Sequence, residues 1–512
     1  MSEKPAAAQA QADPGWSELE TQRLAREARA DEGGGRARQD RLKRLGKLTA
    51  RERIAGLVDE GTFLESGRHV VHRHSQSGTS EVLAANQHPG DGLVCGLAAI
   101  AGCTVVVYAH DPTVLRGALG HTAAQKLCKL LDLAGERGFP VIALVDCDGV
   151  RVEEGTFAIE AYGEILRRTV RLKGRVPQIT LACGLCVGAA AYCATLTDLV
   201  GMVQGQSWMF ITGPKVTKVV TGADVSLDDL GGPELHGRKT GAVHAVLPSE
   251  QAGLDWVRDV LRHLREAKVT DPKLRFTPEL ESVIPTAPRR AYDVRRVLGA
   301  VFDQGSVLEL SAKFGGSLVT ALAHLGGRPV AVVASNPMVL AGCLDIDASR
   351  KGAAFVSFAA QRGLPIITLV DVPGYLPGQK QEEGGIIPHG ATLLTAYGNA
   401  KVPLVCLVLR KSFGGASILS FAADLRFALP TARIGPMGAD ATLEVVLGPE
   451  LPDATEEGKA ARAAKRADWL ARQDHAWAAA EAGYIDQVIA PAEVRQKLCA
   501  AVDRLTAERP HA

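Results

Sequence analysis

The chain is 512 residues long and carries 58 Lys and Arg against 57 Asp and Glu, a net charge of +1. A balance this close to zero offers no attraction for nucleic acid or an anionic membrane. With 46% apolar and 22% charged residues, the composition is that of a globular protein with room for two or three domains.

Residues 1–45 read as a polar arm, with Leu19, Leu24, Leu42 and Leu45 spaced among alternating charges. Met1–Asp40 has no apolar core segment and so is not a secretory signal. GKLTARERI (Gly46 to Ile54) predicts a helix start, Thr49 capping it and Glu52 closing a capping box. GLVCGLAAIAG and CTVVVYA follow as β-branched runs punctuated by glycine, predicting a hairpin. From Asp111 helical and apolar stretches alternate, the signature of βαβ units with crossover helices. Residues 46–270 form the first domain on this reading. Residues 271–290 carry three or more prolines and no sustained period, and read as a linker. Residues 291–512 repeat the plan and end in a charged helical tail. The fold class is α/β, two tandem domains related by internal duplication.

The duplication is visible in the spacing. Pro140 and Asp146 recur as Pro365 and Asp371, 225 residues on, and Asp198 recurs as Asp424, 226 on. A period this long is a duplicated domain and not a solenoid repeat, which runs at roughly 20–50 residues. In each copy an apolar run ends in small residues that open a helix: Gly188–Ala189 in the first and Gly415–Ala416 in the second. The first amides of a helix have no intrahelical partner, and small residues let a ligand approach them, so such a turn can serve as an oxyanion hole. Tight helix–strand packing uses the same small residues, and the two readings stand side by side.

Other chemistry is not evident. HExxH, GxSxG and Walker patterns are missing, no convincing GxGxxG is present, and the 13 histidines show no ligand spacing, so no metal is expected. His236 and His244 read as satisfied loop histidines, and Glu153 and Glu154 as a solvated helix start. Cys183 and Cys186 form a CxxC without a second pair and read as buried small residues. Ten cysteines in so long a chain imply a reducing, cytoplasmic setting. Ile179–Leu196 has no charge but fits a buried β-loop-α segment better than a membrane span.

Ordered motifs carry a resemblance across nearly the whole chain from GKLTARERI onward. They include GDGLVCG, the DCDGVR turn (Asp146 to Arg151), TGPKVTKVVTG and DLGGPELHGRKTGAVH, then NPMVLAGCLDIDAS, DVPGYLPG, GGIIPHGA and RKSFGGAS. With these the chain resembles the carboxyltransferase (β) subunits of biotin-dependent acyl-CoA carboxylases, of the propionyl-/acetyl-CoA type. The resemblance implies a crotonase-like (ββα superhelix) fold in both halves. It also implies transfer of a carboxyl group from carboxybiotin to the α-carbon of an acyl-CoA. The cofactor is biotin carried by a separate partner, a biotin carboxylase or biotin carboxyl carrier subunit, and the assembly is a hexamer built as a dimer of trimers. By the same resemblance Gly188 and Ala189 hold the acyl-CoA enolate, and Gly415 and Ala416 hold the biotin oxygen. Asp148, Gly149, Val150 and Arg151 line the CoA side, and Ile418 stands where acyl-chain preference is set.

The chain departs from the family pattern at several positions. Gly188–Ala189 replaces Gly-Gly, and Cys147, Asp148 and Val150 alter a turn that usually reads SGGAR. Arg116 and His121 stand where small and acidic residues are usual; Pro388, Ser417 and Asp440 replace Arg, Tyr and Gln or Glu. Two alternatives remain open on sequence: a biotin-dependent acyl-CoA decarboxylase component, or a degenerate paralogue with a structural or regulatory role.

Overall fold

The structure is a computed structural model and describes residues 15–72, 88–269, 271–287, 289–447 and 455–507. Its strands in the first half are β1 (Leu64–Glu65), β2 (Leu93–Ile100), β3 (Cys103–His110), β4 (Val141–Cys147), β5 (Gln178–Val187), β6 (Leu199–Val203), β7 (Trp208–Phe210) and β8 (Ala245–Leu247). Those of the second half are β9 (Leu308–Leu310), β10 (Leu318–Leu325), β11 (Arg328–Ser335), β12 (Ile366–Val372), β13 (Leu404–Phe413), β14 (Leu425–Ala428), β15 (Arg433–Gly435) and β16 (Gln487–Val488).

Two eight-stranded sheets result, with one topology. The first runs β1-β2-β3-β4-β5-β6-β8, with β7 added to the far end of β5; the second runs β9-β10-β11-β12-β13-β14-β16, with β15 added to β13. The expected duplication of an α/β unit is therefore present strand for strand. The predicted hairpin is β2–β3, closed by Ala101 and Gly102 at φ 49° and 71°. Two consecutive left-handed residues make the turn whose twist matches the strands it joins. From β3 and β11 onward the strands are parallel.

Burial explains the sequence pattern. All seven residues of β4 and all seven of β12 are buried, as parallel strands covered on both faces require. The helices His121–Arg137 and Thr156–Leu172 cover one face of the first sheet, the former stopping at left-handed Gly138. The capping box is formed: the Glu52 amide donates to Thr49 Oγ1 at 3.2 Å and the Thr49 amide to Glu52 Oε2 at 2.9 Å. One apolar core runs through both halves, joining Leu254, Trp256 and Val257 to Leu310, Leu318 and Phe355. The segment between the halves is packed: the Thr277 amide donates to Ala492 O at 2.9 Å, and Leu280 is fully buried. The polar arm forms the helices Trp16–Asp31 and Arg36–Arg44. Among the described residues no helix is long and apolar enough to cross a membrane; Ile179–Leu196 is divided between β5 and a short helix.

Two buried histidines make stability depend on pH. Burial pulls His110 down to about 4 against the opposing charge of Asp146, and it pulls His244 down to about 4 with Lys173 adding to the effect. His244 Nδ1 accepts the Val200 amide at 3.0 Å, which only the neutral nitrogen can do. Because both folded values lie below the ordinary one near 6.5, their contribution is complete above that pH and is lost as pH falls toward 4. Urea unfolding is expected to show a loss of about 2 kcal/mol per histidine between pH 7 and pH 5. Replacing His110 and His244 with Gln should flatten that slope; a slope unchanged in the double variant would refute the assignment.

Candidate functional site

The site is built at the C-terminal ends of the central strands. β4 and β5 pair in step up to Val145 and Ala182, and the next pair is Cys147 and Cys186; β12 and β13 slip at the same place, from Val370 and Val408 to Val372 and Ser412. The gap in each case holds a buried carboxylate. Asp146 Oδ1 accepts the Leu185 amide at 3.1 Å and Oδ2 takes Lys47 at 2.5 Å and Arg53 at 3.1 Å. Asp371 Oδ1 accepts the Lys411 amide at 3.2 Å and Oδ2 takes Arg410 Nε at 2.8 Å. Burial alone would raise Asp146, but Arg53 and Lys47 together keep it below the usual carboxylate range.

Beyond each slip the chain turns. Gly188 has φ 60° and ψ −121°, a backbone that an L side chain rarely adopts, and the helix Ala189–Leu196 starts behind it. Its counterpart is Gly414, also at φ 60°, which begins the Gly414–Ser417 turn. The strand register fixes this equivalence, since Val187 pairs with Phe210 as Phe413 pairs with Gly435. Ala189 therefore matches Gly415, and Ala190 matches Ala416. The sequence pairing of Gly188–Ala189 with Gly415–Ala416 is out of step by one residue. It is also corrected in substance: the Gly188 amide donates to Phe210 O at 3.0 Å and is not available to a ligand. Ala191 and Tyr192 donate back to Gly188 O at 3.0 and 3.3 Å. The amides left without an acceptor among the described residues are those of Ala189 and Ala190 in the first turn, and Gly415 and Ala416 in the second.

The DCDGVR turn lies against the first of these. A methyl group on Gly149 would come within 2.9 Å of Val187 O, so Gly149 sits hard against the residue preceding Gly188. Asp148 holds Arg116 Nε at 2.5 Å, and Val150 bridges to Leu119. Arg151 does not line a ligand surface, contrary to expectation. It is fully buried, and Nη1 reaches Asp91 at 2.6 Å and Glu154 at 2.9 Å while Nη2 donates to Ala118 O at 3.0 Å. Glu154 is likewise fully buried, where a solvated helix start was expected; it accepts the His121 amide at 2.7 Å. Ile418 begins the short helix after the second turn, and its side chain lies outside the described part of the structure. Cys183 and Cys186 are buried, and burial pushes the Cys183 thiol up to about 12.

One feature of the site escaped the sequence reading. Leu115 and Arg116 are both left-handed, at φ 46° and 56°, and so are Leu340 and Ala341, at 49° and 54°. Such non-glycine backbone costs of order 1–3 kcal/mol and clusters at functional sites. A side chain on the following glycine, Gly117 or Gly342, would collide with the carbonyl of Asp146 or Asp371, which ties each strained loop to its carboxylate. The repeat of VLRG as VLAG, 225 residues on, was the available signal.

Comparison with known proteins agrees over the same span. A family model described as the carboxyl transferase domain matches residues 42–511. The propionyl-CoA carboxylase carboxyltransferase subunit of Haloferax mediterranei is 40% identical over 489 residues, covering 93% of this chain and 94% of that one. The mitochondrial propionyl-CoA carboxylase beta chain of Homo sapiens is 38% identical over 491 residues, 93% and 89% of the two chains. A transcarboxylase 12S crystal structure with hydrolysed methylmalonyl-coenzyme A bound superposes with a TM-score of 0.92 at 36% identity, covering 98% of both chains.

The placement of Arg151 is testable through stability. Arg151→Met leaves Asp91 and Glu154 buried without their cation, and is expected to cost about 3–5 kcal/mol in denaturant unfolding. Unchanged stability accompanied by weaker ligand binding would restore the ligand-lining role.

Proposed function

We propose, for a chain that belongs to the carboxyl transferase family, that its two turns divide one reaction between them. The chain is the carboxyltransferase component of an acyl-CoA carboxylase and moves a carboxyl group onto the α-carbon of an acyl thioester. Propionyl-CoA is the acyl substrate we infer. The inference is supported by the propionyl-CoA carboxylase subunits that share about 40% of its sequence over more than nine-tenths of its length. We take residues 46–270 as the acyl-CoA half and 291–512 as the half that meets biotin on a separate partner. The assembly we infer is a hexamer, a reading supported by the transcarboxylase 12S structure, which is a hexamer assembly.

The observation that carries this reading is the equal pair of turns, each with two consecutive amides that no acceptor uses among the described residues. Removing the α-proton of an acyl thioester places negative charge on the thioester oxygen. Ala189 and Ala190 supply two fixed donors for that charge, and replacing a side-chain methyl for hydrogen at position 189 leaves the N–H intact. Gly415 and Ala416 supply the equivalent pair, beside Tyr375, whose ring edge lies 3.6 Å from where a Gly415 methyl would sit. Two adjacent donors on a turn without a side chain fit a carbonyl-type oxygen such as that of the biotin ureido ring. Carboxybiotin, when bound, brings the activated carboxyl group. Asp148, Gly149 and Val150 rim the acyl turn, and Ile418, next after the second turn, is the residue we place at the acyl chain.

Gly415→Pro removes one donor from the second turn. With the biotinylated partner, ATP, bicarbonate and propionyl-CoA present, turnover is expected to fall about 10²–10³-fold, the effect of losing one oxyanion-hole donor. Binding of propionyl-CoA alone should be unchanged. Full turnover in the variant would overturn the assignment of the second turn.

A further inference from the structure

The two halves enclose a cavity of about 520 Å³ at their seam, away from both turns. Its walls include Lys173, Thr195 and Asp198 from the first half and Arg350, Lys351 and His389 from the second. Among the lining residues the cations Lys173, Arg350 and Lys351 outnumber the one carboxylate, Asp198, although Arg350 also reaches Asp347 outside the cavity at 3.5 Å. Asp198 has other obligations. Its Oδ2 accepts the Gln178 amide at 2.9 Å, and its charge is shared with Arg362, whose Nε and Nη2 are buried with no hydrogen-bond partner among the described residues.

Lys351 makes the case sharper because the duplication supplies its control. Lys126 is the same lysine in the first copy, 225 residues earlier, and both are about 5% exposed. Lys126 Nζ donates to three carbonyls: Gly90 at 2.8 Å, Leu93 at 2.5 Å and Gly67 at 3.4 Å. Lys351 Nζ donates to two, Ser311 and Phe314, each at 2.9 Å, and it lines the cavity. Among the described residues Lys351 has neither a third acceptor nor an ion pair. A buried ammonium without an anionic partner is costly, and a ligand is one way to supply the partner. Arg350 reaches across the seam, donating Nη2 to Thr240 O at 3.2 Å and stacking over Phe314 at 5.4 Å. A ligand held here contacts both halves at once.

We infer that this cavity is a binding site for a small organic anion, a carboxylate or a phosphate monoester, with Lys351 as the buried anchor and Arg350 and Lys173 as the outer cations. The volume lies within the range of small-molecule sites. Binding to the folded state raises its stability by RT ln(1 + L/Kd), where L is the concentration of free anion. The inference does not depend on the carboxyl-transfer assignment, since no residue of either turn takes part.

The test is a thermal and calorimetric titration of the full-length chain with citrate in one arm and glycerol 3-phosphate in the other. Sodium chloride at matched ionic strength is the reference. A saturable heat of binding is expected in one arm, with a melting temperature that rises with the logarithm of anion concentration above Kd, and the arm that responds identifies the chemistry. Lys173→Ser combined with Arg350→Ser changes exposed cations without disturbing the core, and should weaken binding about tenfold or more, as loss of charged hydrogen bonds does. Lys351→Met should abolish it. No saturable heat of binding in either arm would overturn the proposal. So would a shift of equal midpoint in the double variant, since that is the general stabilisation excluded anions give any protein.

Discussion

The structure depends on two buried carboxylates, Asp146 and Asp371. Each occupies the gap opened where a central parallel strand slips against its neighbour, and each spends one oxygen on the amide that the slip orphans, Leu185 or Lys411. An unpaired backbone donor at that depth would cost about 1–3 kcal/mol. The second oxygen needs a cation, and the copies find it differently. In the second half Arg410, on β13 itself, turns back onto Asp371. In the first half the matching position is Gly184, where any side chain would overlap the Asp146 carboxylate, and the cations come from Lys47 and Arg53 far back in the chain. One electrostatic requirement is met by two solutions, and the first leaves no room for the arginine that the second uses.

These solutions set how the rest of the chain is tied in. Arg53 also pairs with Glu250 at 2.7 Å, so the carboxylate, the helix Ala50–Leu57 and the helix Glu250–His263 are locked together. Arg410 donates to Ala287 O and Arg290 O at 3.1 and 2.7 Å and stacks on Tyr292 at 4.8 Å, which holds the connecting segment against the second sheet. Breaking one partner out of such a buried network costs several kcal/mol, far more than an exposed pair. The segments before each sheet are thus fastened to the strand ends where the turns begin.

What the sequence revealed follows from which features are local. Parallel strands buried on both faces read as unbroken apolar runs, so the duplication, the hairpin and the capping box at Thr49 were legible. The allocation of hydrogen bonds at the turns was not. Whether the Gly188 amide is free is decided by β7, a three-residue strand more than twenty positions later, and nothing near Gly188 announces it. Arg151 was misread for a related reason. The family resemblance set the whole Asp146–Arg151 turn against the ligand, but the surroundings of Arg151 are set by Asp91, sixty residues away. The paired left-handed loops at Leu115 and Leu340 were recoverable in principle, because their motif repeats at the same spacing as everything else.

The division between backbone and side chain explains how the two halves can diverge without losing the turn. Donors at Ala189, Ala190, Gly415 and Ala416 belong to the peptide, so any substitution other than proline changes the room around them and not their number. The rims are free to differ. The first carries the Arg116–Asp148 ion pair where the second has Ala341 and Pro373, and Val150 stands where Tyr375 does. An exposed pair of this kind is worth about 0–1 kcal/mol, too little to be retained for stability alone. The charges on the first rim can therefore change at little cost to stability, while the carboxylate beneath it belongs to the fold.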